Sequence, residues 1–272
     1  VAQLPTPQAT IESHLERAHR LQREGDVRGL IVELEAAHAR MQAEPYRIEF
    51  QTRIRLAIEL SNAYLNVGEA EKALHLLESE VTFAEEIFQI TQSMGTPFQK
   101  REAAGGRVQI RDRARQVALL GAEAPEVSIK YWIQGQPTTL ASLRGQVVLL
   151  EFWATWCKPC REMFPKLKGL DEAYRARGLE IIAITRHYLA ERGKAESEAD
   201  ELKLMRSVIE DHGVKFRAGV AEDEQMQEAY GANGLPTLAL IDRRGLVRYA
   251  HFGGGQDNLF EELLKACLNE RV

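Results

Sequence analysis

From Ile11 to about Ala122 the apolar residues recur at steps of three and four, and from Val127 onward they alternate or run together in short blocks. The first pattern predicts helices and the second predicts strands, so the chain divides into an all-α domain over 1–120 and an α/β domain over 121–272. In the first part, Val1 to Thr10 reads as a proline-containing lead-in, and Thr10 or Ser13 caps the first helix. Gly25-Asp26 breaks that helix, Leu30 to Met41 forms a second, and Glu44-Pro45 ends it. A third runs from Arg47 to Asn66, and Phe83 to Gln92 extends the set, with breaks predicted at Met94-Gly95-Thr96-Pro97 and again at Gly105-Gly106.

Leu60, Ala63, Tyr64, Gly68, Ala73 and Leu77 follow the spacing of a tetratricopeptide helical hairpin, and Ala18, Leu21, Gly25, Leu30, Leu34 and Ala37 echo it weakly. Gly25 and Gly68 stand farther apart than the roughly 34 residues of that repeat. Degenerate repeats and ordinary antiparallel helix pairs therefore both fit, and either makes this half a packing or partner-binding surface. Arg107, Arg111, Arg113 and Arg115 read as the wet face of a helix, with an anionic-partner site as the alternative.

In the second part, Val127, Ile129, Tyr131 and Ile133 fall on one strand face, and Gly135-Gln136-Pro137 turns toward Thr138 to Leu140 as a β-hairpin. Gln146 to Trp153 is a buried strand, Arg161 to Arg177 a helix and Leu179 to Thr185 a second buried strand. Ser197 to His212 is helical, Val214 to Val220 a strand and Asp223 to Tyr230 a short helix. Thr237 to Asp242 and Leu246 to His251 are strands, Gly253-Gly254-Gly255 a turn and Gln256 to Asn269 the closing helix. Strands alternating with helices before a final hairpin predict a mixed sheet covered by helices.

Cys157-Lys158-Pro159-Cys160 lies where a strand hands over to a helix. The first helical turn leaves N–H groups unpaired and carries the positive end of the helix dipole, so a thiol there is stabilised as thiolate. Cys157 is accordingly the attacking sulfur, and one helical turn brings Cys160 close enough to form a disulfide with it and to resolve a mixed one. Structural zinc is the rival reading of a CxxC, but it wants four ligands, and the third cysteine, Cys267, sits in an apolar stripe with Phe260, Leu263, Leu264 and Leu268. His187, His212 and His251 lack ligand spacing. Glu151 lies two residues before Trp153 in a run of Val, Leu and Phe, either buried or on a solvent-facing strand edge.

Phe152 to Cys160 resembles the active-site signature of the extracytoplasmic TlpA/ResA-like thiol:disulfide oxidoreductases of thioredoxin fold. Leu143-Arg144-Gly145, Tyr230-Gly231, Gly234-Leu235-Pro236-Thr237 and Leu240-Ile241-Asp242-Arg243-Arg244-Gly245 carry the resemblance further, over about 121–268. It implies a thioredoxin-like domain with an added N-terminal β-hairpin, a redox-active disulfide and no metal or organic cofactor. By resemblance Glu151 holds the position of thioredoxin's buried aspartate, the proton acceptor for Cys160, where many TlpA-like members carry a neutral residue, and Pro236 is a cis-proline facing the cysteines, with the Leu235 backbone free to pair with a substrate. An ordinary strand-start proline is the reading without it. Lys158 and Pro159 fill the variable dipeptide, and Trp156 is an aromatic surface for partners. The acid that the family usually carries three residues after the second cysteine is absent, since Met163 stands there and Glu162 is one position early.

The chain has 272 residues, 44% of them hydrophobic and 28% charged, ordinary values for globular domains. Its net charge of -5 gives no electrostatic reason to expect nucleic acid as a partner. The sequence begins at Val1, and the resemblance implies export, so the expectation is a processed periplasmic protein acting on protein thiols and disulfides, with a membrane-bound electron donor. Reductase is the favoured direction. Thiol peroxidase is the alternative, although Thr155 precedes Cys157 without the proline that chemistry wants. A helical partner-binding protein with an accessory redox domain is a third reading, and an isomerase would need self-association through the helical half.

Overall fold

The computed structural model describes residues 6–191, 193–194, 197–253 and 258–270. The chain forms two compact units, Val1–Val117 and Ala118–Val272. In the first, α1 is Pro7–Glu24, α2 Val27–Ala43, α3 Phe50–Asn66, α4 Ala70–Met94 and α5 Pro97–Ala118. Ile11, Leu15 and Ala18 of α1 meet Leu30, Leu34, Ala37 and Met41 of α2 and Ile54, Leu56 and Leu60 of α3 in one apolar core. Steps of three and four put these residues on single helix faces, which is why burying them also fixes the helices.

Three expectations for this unit are corrected. The first helix begins at Pro7 with Thr6 as its cap, its Oγ1 accepting from Ala9 N at 3.2 Å, and Thr10 lies inside the helix; Val1 to Pro5 fall outside the described residues. Gly105-Gly106 does not break α5. Gly106 gives room to a neighbour: a Cβ there would stand 2.4 Å from Phe50 Cε1, so a close approach between α5 and α3 accounts for the glycine. Arg113 is buried instead of wet, its Nη2 donating to Asn62 Oδ1 at 2.8 Å and its Nη1 to Gln116 Oε1 at 3.2 Å. A second buried cation, Arg53, donates to both oxygens of Glu80 at 2.5 and 2.9 Å and stacks 3.6 Å above the Phe83 ring.

In the second unit, β1 is Ile129–Gln134, β2 Val147–Phe152, α6 Lys158–Tyr174, β3 Leu179–Thr185, α7 Tyr188–Glu191 and α8 Glu198–Asp211. β4 is Arg217–Ala221, α9 Gln225–Ala229, β5 Thr237–Ile241, β6 Val247–Phe252 and α10 Asn258–Asn269. The sheet runs β1-β4-β3-β2-β5-β6, with β2 parallel to β3, β3 parallel to β4, and the remaining neighbours antiparallel. Both faces of β2 and β3 are covered, which explains why these strands are apolar without alternation. On one face, Val147, Leu149 and Trp153 meet Phe164 and Leu167 of α6, Met205 and Ile209 of α8, and Phe260 and Leu264 of α10. On the other, Val148, Leu150 and Phe152 meet Leu143, Met226 and Tyr230.

The expected hairpin of Val127 to Leu140 is also corrected. β1 pairs antiparallel with β4, and Ala141–Leu143 forms a short 3-10 turn. Thr138 and Thr139 bond locally with Ser142, a side-chain alternative to strand pairing. Gly254 to Asp257 fall outside the described residues, so the glycine turn and the first residues of the expected closing helix are not placed.

Candidate active site

β2 delivers Phe152 and Trp153 to the end of the sheet, where Trp153 N still donates to Ile184 O at 2.9 Å. The chain then turns, Cys157 N donating to Ala154 O at 3.0 Å, and enters α6 with Cys157 as its N-cap. Cys157 Sγ accepts from Cys160 N at 3.3 Å, one of the donors that every helix start leaves unpaired. Pro159 sits in the first turn, where its missing N–H leaves no intrahelical bond unmade. Cys157 and Cys160 form a disulfide with their Cα atoms 5.4 Å apart, inside the usual range. Cys157 is 4% exposed and Cys160 fully buried, so an incoming sulfur reaches Cys157 first.

Glu151 is fully buried, between Leu149 and Trp153 on the face of β2 that packs against α6. Its neighbours in register are Ala183 and Leu238, members of the same core as Cys160. Neither carboxyl oxygen has a hydrogen-bond partner among the described residues. Burial therefore pushes this carboxyl well above the ordinary carboxylate range, with no opposing contact.

The Leu235–Pro236 bond is cis. Pro236 is buried with its carbonyl accepting from Gly253 N at 2.7 Å, while among the described residues the Leu235 main chain makes no hydrogen bond. Lys158 is exposed and pairs with Glu162 at 3.4 Å, away from any buried contact, and Met163 packs in the core. Trp156 is 47% exposed. Cys267 is buried on α10, and burial pushes its thiol up to about 11.

Residues that spacing did not single out complete the site. Arg161 Nη1 donates to Thr155 O at 2.7 Å and pins the loop ahead of Cys157. Tyr188, next to β3, meets Trp156 edge-on with ring centroids 5.8 Å apart. Phe252, 54% exposed at the end of β6, lies so close to Gly234 that a Cβ there would stand 2.8 Å from Phe252 Cδ2. The Tyr188 and Phe252 contacts join segments far apart in the chain, and only Gly234 carried a local sign.

The stretch 120–250 matches the model of the AhpC/TSA family. The chain is 31% identical over 147 residues to the thiol-disulfide oxidoreductase ResA of Bacillus thuringiensis subsp. konkukian, covering 54% of this chain and 77% of that protein. It is 33% identical over 129 residues to the ResA of Bacillus anthracis, covering 47% of this chain and 66% of that one, just under two thirds of its length. A solved thiol-disulfide isomerase from Corynebacterium glutamicum aligns at 22% identity and TM-score 0.46 over 54% of this chain and 98% of that one. The second unit is thus a thioredoxin-like domain of the thiol-disulfide oxidoreductase class. The chain belongs to the family of the thiol-disulfide oxidoreductase ResA.

Proposed function

We propose that this chain reduces disulfides in protein substrates by dithiol–disulfide exchange at Cys157 and Cys160. The observation that carries the reading is the reversible-type pair itself: a disulfide whose more accessible sulfur caps a helix start and whose buried sulfur shares a core with an unpartnered carboxyl. The Cys157 thiolate attacks a substrate disulfide, forming a mixed disulfide and expelling one substrate thiolate. Glu151, as carboxylate, takes the Cys160 proton, and the resulting thiolate attacks Cys157 Sγ and expels the second substrate sulfur. Two electrons pass to the substrate, and the pair is left oxidised until a thiol donor restores it.

The Leu235 main chain, beside Pro236, offers its groups to an extended substrate segment. The reductive direction, a membrane-bound donor and an extracytoplasmic location follow the TlpA/ResA resemblance, and the helical unit serves as a surface for a partner or a second copy. Among the described residues no helix is long and apolar enough to cross a membrane. A cysteine pair three residues apart supports exchange over peroxide reduction at a single sulfur. Insulin reduction with dithiothreitol as donor tests the reading: wild-type protein accelerates it and Cys157→Ser does not. Peroxide consumption without insulin reduction would overturn it.

A further inference from the structure

The segment that follows β3 is tied to the cysteine loop on one side and to α9 on the other. Tyr188 is 5% exposed, and its ring meets the Trp156 ring at an interplanar angle of 81°. Gln227 of α9, 1% exposed, donates through Nε2 to Tyr188 Oη at 2.6 Å. The Arg186 guanidinium stands 4.7 Å from the Tyr188 ring centroid, and its Nη1 donates to Glu224, the N-cap residue of α9, at 3.0 Å. α9 leads through Tyr230 and Gly231 into Leu235–Pro236. One buried phenol thus connects the indole beside Cys157 with the helix that carries the proline loop.

We propose that Tyr188 is a positioning residue for protein substrates: it holds Trp156 at the mouth of the site and, through Gln227, keeps that indole in register with the Leu235–Pro236 loop. The inference rests on the exchange reading above. A half-exposed indole that must be immobilised by each substrate loses rotamer freedom on binding, whereas one already held edge-on against a fixed ring has lost it in the free protein. The edge-on geometry is the one aromatic pairs prefer, and the phenol needs its amide partner because both are buried. Tyr188 acts through Trp156 and Gln227, so its effect belongs to substrate binding and not to the sulfur chemistry.

Steady-state insulin reduction by the full chain tests this. Tyr188→Leu is expected to raise KM about three- to tenfold, the equivalent of one newly mobile side chain, while kcat falls less than twofold. Tyr188→Phe, which keeps the ring and loses only the oxygen, recovers most of the affinity and leaves KM about twofold high; it carries the test alone if the leucine variant does not fold. An unmoved KM, or a loss shared equally by kcat and kcat/KM, overturns the proposal. Wild-type protein that reduces neither insulin nor a small aromatic disulfide overturns the exchange reading and this inference together, whereas an active wild type with unmoved KM in the variants overturns this inference alone.

Discussion

Cys160 N donates to Cys157 Sγ at 3.3 Å, so in the proposed exchange the residue that resolves also steadies, through its backbone, the sulfur that begins it. The helix start does this without a charged side chain, because its unpaired N–H groups and dipole favour negative charge on the cap. The asymmetry predicts different fates for the two serine variants. Cys160→Ser keeps the attacking thiolate and loses the resolver, so it accumulates mixed disulfides with protein substrates; Cys157→Ser accumulates none. Non-reducing electrophoresis and mass spectrometry after mixing with oxidised insulin read this out, and mixed disulfides formed through Cys160 would reverse the roles.

Glu151 makes a stability prediction as well as a kinetic one. Its carboxyl is raised by burial in the fold and ordinary when unfolded, so the folded state binds the extra proton. Its burial is tolerated fully only below the unfolded carboxylate value of about 4.3, and stability falls as pH rises from there toward the folded value. Glu151→Gln removes that loss. The variant is expected to melt at least about 3 °C higher at pH 7, the shift for roughly 1 kcal/mol in a domain of this size, with a flatter dependence on pH. It should also reduce insulin about a hundredfold more slowly, the low side of a general-base contribution. An unchanged rate with unchanged pH profile removes Glu151 from the mechanism.

Lys158 carries a smaller effect than its place between the cysteines invites. It is exposed and paired with Glu162, a geometry that water and salt screen. Lys158→Ala is therefore expected to change the rate of exchange with a small disulfide by less than about threefold, the span of an exposed ion pair. A change of tenfold or more in stopped-flow measurements would make the lysine a principal stabiliser of the Cys157 thiolate.

Adjacent glycines in α5 separate propensity from packing. Gly105 is exposed with nothing within 4 Å of a Cβ, so Gly105→Ala is expected to stabilise the helical unit by about 0.5–1 kcal/mol. Gly106→Ala meets Phe50 and Ile54 and is expected to destabilise it by about 1–3 kcal/mol. Urea unfolding followed by circular dichroism checks both, and two changes of the same sign would contradict the close approach.

That pair also shows what could be read from the chain and what could not. The buried strands β2 and β3 and the CxxC at a helix start announce themselves through local chemistry, because periodicity and cysteine spacing act over a few neighbours, whereas the cis bond at Pro236 was legible only through the family resemblance. The continuity of α5 through Gly105-Gly106, the burial of Arg113 against Asn62, and the Arg53–Glu80 pair depend on residues 27 to 56 positions away. β1 read correctly as a strand, yet its partner is β4 across the sheet and not the local turn, since antiparallel neighbours are chosen by the whole fold. Tyr188 was invisible for the same reason: its contact with Trp156 exists only once β2 and β3 lie side by side.

The account depends most on Cys157 and Cys160 opening and closing at a defined poise. Equilibrating the protein in graded reduced and oxidised glutathione, quenching with acid and counting alkylated thiols by mass spectrometry measures it directly. The predicted result is that Cys157 and Cys160 acquire two labels together along a two-electron curve, about 30 mV per tenfold change in the equilibrium constant, while Cys267 stays outside the transition. A pair that remains unlabelled after exposure to strong thiol reductant, or that labels as two independent thiols, would contradict it.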